Sequence, residues 1–178
     1  MRLRRLQQEF PRPLALAHKA FLLLPEDRPR QFTAYHLQHR QAARQMTGLP
    51  YDLPPVGTPY PLSSTWALEA AKWVEQNYPE RFDRFDLALF EAFFEKTLDI
   101  SSVEVLTQLA AEQGLPGGDL AAALQAHRYR EAVWTDYREA LEMGITGIPT
   151  VLIGDYAISG AVPYEQYLQA AQGLSRRL

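Results

Sequence analysis

The chain has 178 residues, 47% hydrophobic and 22% charged, with a formal charge of −3 and no cysteine. This balance fits one or two globular domains with a sizeable core, and the negative charge opposes bulk attraction to DNA or RNA. The absence of cysteine excludes disulfides, thiolate metal ligands and cysteine nucleophiles within these residues.

The chain opens on arginines with no continuous apolar run behind them, so no signal peptide is expected. The longest apolar runs, such as Phe21–Leu24, fall far below the ~20 residues of a membrane span. A cytoplasmic location is the default expectation. Arg2, Arg4 and Arg5, with Arg28, Arg30, Arg40 and Arg44, read as solvated helix faces, balanced by acidic residues elsewhere.

Leu3, Leu6 and Phe10 share one face of a short helix, which Pro11 and Pro13 stop. Leu14 to Leu24 reads as a strand near an edge, since His18-Lys19 interrupts its apolar residues. Arg28 to Gln45 has helical periodicity, ended by Gly48. Leu49 to Leu62 holds five prolines and one glycine and reads as an ordered loop.

Ser63, Ser64 and Thr65 offer N-caps for a helix reaching about Asn77. Phe82, Phe85, Leu89, Phe90, Phe93 and Phe94 then make an apolar face too wide for a surface helix, so that helix is expected deep in a helical layer. Ser101 or Ser102 caps the next helix, and Gly117-Gly118-Asp119 opens another. After a weak break near His127 a helix runs to Met143, with Val133, Tyr137, Ala140 and Leu141 inward and Gly144 as its terminator.

The period then changes. Thr150–Ile153 is a short apolar strand, Gly154-Asp155 a turn, and Tyr156–Ile158 a returning strand. Pro163 starts a last helix that buries Tyr164, Tyr167, Leu168 and Ala171. His36 and His39 have a spacing that suits two metal ligands, but no third ligand lies close in sequence. They read as surface histidines, and no metal or cofactor is expected. Asp83, Asp86 and Glu91 read as a solvated helix rim, and Gly114 and Gly117-Gly118 lack the context of a phosphate loop.

The element order, the segment Gly144-Ile-Thr-Gly-Ile-Pro149-Thr150 and the run Ile158-Ser-Gly160-Ala161 together resemble the DsbA family of thioredoxin-fold proteins. The nearest subgroup is FrnE-like cytoplasmic oxidoreductases, related to 2-hydroxychromene-2-carboxylate isomerases and kappa-class glutathione transferases. The resemblance implies an α/β thioredoxin-like fold of DsbA type with a large all-helical insertion. Residues 1–25 and 141–178 would form the thioredoxin-like domain and residues 26–140 the insertion. Pro149 takes the place of the family's cis-proline. Ile148 takes the place whose backbone pairs with a bound peptide or glutathione as an added strand. Ile148 and Pro149 are therefore the expected substrate-binding residues, with an extended peptide or a thiol-containing ligand as partner.

The family carries a first strand and a Cys-x-x-Cys or serine at the N-terminus of its first helix, where the helix dipole lowers a thiol's pKa. The matching helix here begins almost at Met1, and residues 1–9 hold no Cys, Ser or Thr. No catalytic residue is therefore assigned, and thiol–disulfide exchange by these residues is not expected. Without that strand, two edges of the thioredoxin-type sheet would lie open. Two accounts stand: an N-terminus shortened relative to the functional protein, or a catalytically dead protein that fills the gap as a homodimer or by strand exchange. A non-catalytic peptide binder and a glutathione-dependent isomerase remain as alternative functions.

Overall fold

A computed structural model describes residues 2–175. The chain divides into two compact units, residues 1–21 with 136–178, and residues 22–135.

In the first unit, α1 (Arg2–Glu9) lies on α8 (Tyr164–Ser175). Leu6, Tyr164, Tyr167 and Ala171 are buried together, and Val151, Ile153 and Ile158 pack against them from a hairpin. That hairpin pairs β3 (Thr150–Ile153) with β4 (Tyr156–Ser159) in antiparallel register, Thr150 opposite Ser159 and Ile153 opposite Tyr156. Gly154 takes φ +57° in its two-residue turn, a conformation that glycine adopts without cost. Strand alternation sends Val151, Ile153 and Ile158 towards the helices and Thr150, Leu152, Ala157 and Ser159 to the opposite face.

The second unit is mostly helical. It contains α2 (Ala34–Thr47), α3 (Thr65–Asn77), α4 (Pro79–Phe94), α5 (Val103–Glu112) and α6 (Gly117–Gln125). A two-residue ladder joins β1 (Arg30–Gln31) to β2 (Pro59–Tyr60). Ala70, Val74, Phe85, Ala92, Leu106, Ala110 and Leu120 have no exposed surface. Each large apolar side chain buried there contributes about 1.5–3 kcal/mol. Pro79 stands at the start of α4, where its missing N–H costs nothing. The Ser102 hydroxyl accepts from the Val105 N–H and caps α5. A Cβ on Gly117 would stand 2.9 Å from the Thr107 carbonyl oxygen, so the approach of α6 to α5 requires glycine. The division between the units falls within α7 (Arg130–Glu142).

Five expectations need correction. Leu14–Leu24 is not a strand. A strand exists only with a partner to complete its ladder, and no described segment aligns with it. Its polar groups are met otherwise: Gln7 Nε2 donates to the Leu14 carbonyl at 2.9 Å, and the Ala20 N–H donates to Asp136 Oδ2 at 2.9 Å. For the same reason β3 and β4 form a two-stranded sheet of their own and not part of a mixed sheet among the described residues. Next, α2 starts at Ala34, not Arg28, because Arg30 and Gln31 pair with β2 and Thr33 supplies the cap. Phe90 of α4 is 55% exposed and Leu141 of α7 is 46% exposed, so the wide face of α4 is not wholly buried and Leu141 does not point inward.

Finally, Arg40 is not solvated but 5% exposed. Its guanidinium donates to the carbonyls of Phe93 (3.0 Å), Asp52 (3.2 Å) and Phe94 (3.4 Å), and lies against the rings of Phe32, Phe93 and Phe94. The last carbonyls of a helix lack intrahelical donors; here a buried arginine supplies them for α4.

Candidate functional site

The loop between α7 and β3 is shaped by its own sequence. Gly144 has φ +74°, its N–H donates to the Leu141 carbonyl, and the Ile145 N–H donates to the Ala140 carbonyl, both at 2.9 Å. This satisfies the end of α7 and turns the chain sharply. The Thr150 hydroxyl donates back to the Gly147 carbonyl at 2.8 Å, and the Gly160 N–H donates to the Pro149 carbonyl at 2.7 Å. The Ile148–Pro149 peptide bond is cis.

Between these ties stands Ile148, 51% exposed. Neither its N–H nor its C=O has a backbone hydrogen-bond partner among the described residues. The loop borders a cleft of about 310 Å³, lined by residues 143–150 and, from β4 and its end, Ala157, Ser159 and Gly160. No lining residue carries an ionisable side chain. The polar groups offered are backbone amides and the hydroxyls of Thr146, Thr150 and Ser159. Such a surface can hold an uncharged, extended chain, but it has no acid, base or thiol to transfer a proton or attack a bond.

The structure places both expected binding residues, Ile148 and Pro149, on this cleft. Met143 and Ala157 line it without having been singled out in the sequence, and Ser159 is named there only within the run that carries the resemblance. Strand alternation carries the signal for two of them, since Ala157 and Ser159 share the face of Thr150.

The histidines lie in other surroundings. His36 Nδ1 accepts from the Thr33 N–H at 3.0 Å, completing a capping box at the start of α2. Burial, then the charges of Arg40 and His39, lower its pKa and keep the ring neutral, as that acceptor role requires. His39 Nδ1 is 2.9 Å from the Tyr35 carbonyl. His127, at φ +48°, stands with Nδ1 3.4 Å from Glu69 Oε1. Among the described residues no three ligand-type side chains gather as a metal site would need, and no helix is long and apolar enough to cross a membrane.

Comparison with solved structures gives the fold. A candidate protein disulfide isomerase from Nitrosomonas europaea superimposes with a TM-score of 0.78 at 19% identity, covering 99% of this chain and 89% of that one. A candidate DsbA oxidoreductase from Streptomyces coelicolor superimposes with a TM-score of 0.76 at 24% identity, covering 97% and 81%. Both therefore show a thioredoxin-type DsbA fold, here drawn mostly in helices. In sequence, 90 residues are 36% identical to the uncharacterized protein YwbO of Bacillus subtilis (strain 168), taking in 48% of this chain and 44% of YwbO's own length. The family model described as a DSBA-like thioredoxin domain matches residues 1–172, and the chain belongs to that family.

Proposed function

We propose that these residues form a non-catalytic peptide-binding member of the DsbA-like oxidoreductase family, of FrnE-like type. The ligand is an extended chain laid along Ile148. The observation that carries the reading is Ile148 itself: an exposed residue whose N–H and C=O lack backbone partners among the described residues, at the rim of a cleft with no charge. An incoming strand satisfies both groups, as strand addition requires. Ties on either side, Thr150 to Gly147 and Gly160 to Pro149, hold that backbone in place before the ligand arrives, which lowers the entropic cost of binding. The FrnE-like assignment is supported by the family order of the Gly-Ile-Pro-Thr loop and the Ser-Gly turn. Thiol exchange needs a thiolate, and none of the 178 residues is cysteine.

The test uses labelled α-lactalbumin, reduced and carboxymethylated so that it is extended and carries no free thiol. Saturable binding that weakens at least about tenfold in Pro149→Ala is expected, with amide shifts at Ile148 and Thr150. Unaltered binding in that variant would overturn the proposal. A parallel insulin-reduction assay is expected to stay at the buffer rate, and turnover above it would refute the non-catalytic half.

A further inference from the structure

We propose that Met143 is an oxidation site through which hydroperoxides lower the peptide occupancy of the cleft; this rests on the peptide-binding reading above. Met143 follows the last residue of α7, immediately before Gly144 turns the chain away. Met143 is 62% exposed and lines the cleft that Ile145 and Ile148 also line. It is the sulfur atom of the cleft, in a chain with three methionines and no cysteine.

A thioether is soft and apolar and accommodates an incoming aliphatic side chain at little cost. A peroxide transfers one oxygen atom to it. The sulfur lone pair attacks the distal peroxide oxygen, the O–O bond breaks, and methionine sulfoxide and water (or an alcohol) are the products. Sulfur loses two electrons and the peroxide gains them. The sulfoxide is larger than the thioether and a strong hydrogen-bond acceptor, so an apolar peptide side chain packed over it removes the water that solvates its oxygen. In the free protein that same oxygen is solvated. The modification therefore disfavours the bound state specifically, and methionine sulfoxide reductases reverse it.

Met46 provides an internal comparison. It is 66% exposed, near the end of α2 in the other unit, and is no part of the cleft wall. The experiment treats the whole chain with hydrogen peroxide, locates the sulfoxides by peptide mass mapping, and measures the Kd for carboxymethylated α-lactalbumin before and after. The readout is the ratio of treated to untreated Kd. A rise of about tenfold is expected for the unaltered protein and for Met46→Leu, and a ratio near one for Met143→Leu, whatever its starting affinity. An unchanged Kd with Met143 fully oxidised would overturn the inference, as would a Met143 that stays reduced while Met46 oxidises. No binding by the untreated protein would instead remove the peptide reading, and this inference with it.

Discussion

The Gly160 N–H donates to the Pro149 carbonyl at 2.7 Å, joining the loop ahead of β3 to the turn after β4. The bond closes the end of the hairpin nearest Ile148. Gly160 makes it at φ +85°, where a Cβ would meet nothing within 4 Å. Gly160→Ala therefore carries a purely conformational cost, about 1–2 kcal/mol. We expect urea unfolding to show that loss and peptide affinity to fall with it. Gly118 in α6 is the contrast: it has no such φ, its Cβ would also meet open space, and Gly118→Ala is expected to stabilise by up to about 1 kcal/mol. Equal effects at the two glycines would show that backbone conformation does not set the cost at Gly160.

Asp136 ties the segment after α1 to α7. It is 5% exposed, accepts from the Ala20 N–H, and pairs with Lys19 Nζ at 2.9 Å, while Glu139 takes the same ammonium at 2.9 Å. Asp136→Ala strands a buried N–H and is expected to cost about 1–3 kcal/mol, whereas Asp136→Asn keeps an acceptor and is expected to cost less. The hydrogen bonds of Lys19, first to Asp136 and then to Glu139, raise its pKa to about 12 from 10.5. The folded value lies above the unfolded one, so this pair's stabilisation is complete below about 10.5 and disappears as pH climbs through about 12. The loss should be small, because the lysine side chain is 58% exposed and water screens the pair. Comparing the unfolding midpoints of the unaltered protein and Lys19→Met across that window checks the sign; an advantage for lysine that grows with pH would contradict it.

Much of the fold could be read in the sequence wherever a local signal decides the structure. Ser102, one of the two serines offered as the α5 cap, Gly117 and Gly144 each mark one helix end, and those ends stand where the pattern put them. The Gly154-Asp155 turn fixed the β3–β4 hairpin in the same way. Leu14–Leu24 failed because its apolar pattern is only half of a strand; the other half is a partner at long range. Arg40 failed because counting charges does not show which arginine faces the open carbonyls of another helix. At the candidate site, Ile148 and Pro149 are expected from the resemblance of their loop to the family's, and both line the cleft. Met143 is not singled out, since a helix-end pattern does not show which side chains line a cleft.

Arg40 is expected to be the most sensitive charged position of the helical unit. Burial pulls its pKa down, against the opposing influence of Tyr60 and Asp52. Removing the side chain leaves the Phe93 carbonyl without that donor and opens the space between Phe32, Phe93 and Phe94. Arg40→Ala should cost about 2 kcal/mol or more. Arg40→Lys should recover little, because one ammonium cannot reach three carbonyls in a planar fork. Hydrogen exchange at the Asp52 N–H, which donates to the Phe94 carbonyl at 2.8 Å, reports the local loosening. Full recovery by lysine would show that charge alone matters there.

Glu69 and Arg130 test a different balance. Glu69 has no exposed surface, yet one carboxylate oxygen accepts from Arg130 Nε at 3.0 Å and the other has no hydrogen-bond partner among the described residues. The Thr65 hydroxyl, one turn earlier on α3, is buried and equally unpartnered. A half-satisfied buried carboxylate costs desolvation free energy that Arg130, with the His127 ring 3.4 Å from the same oxygen, only partly offsets, more so because Arg130 is 37% exposed and its attraction is screened. Removing the arginine alone strands the charge, so Arg130→Met should destabilise by about 2 kcal/mol or more. Replacing both residues by methionine removes the buried charge together with its partner, and the double variant should be more stable than Arg130→Met. Unfolding curves for the two single variants and the double one decide the matter. A double variant less stable than Arg130→Met would mean that Glu69 contributes through contacts other than its ion pair.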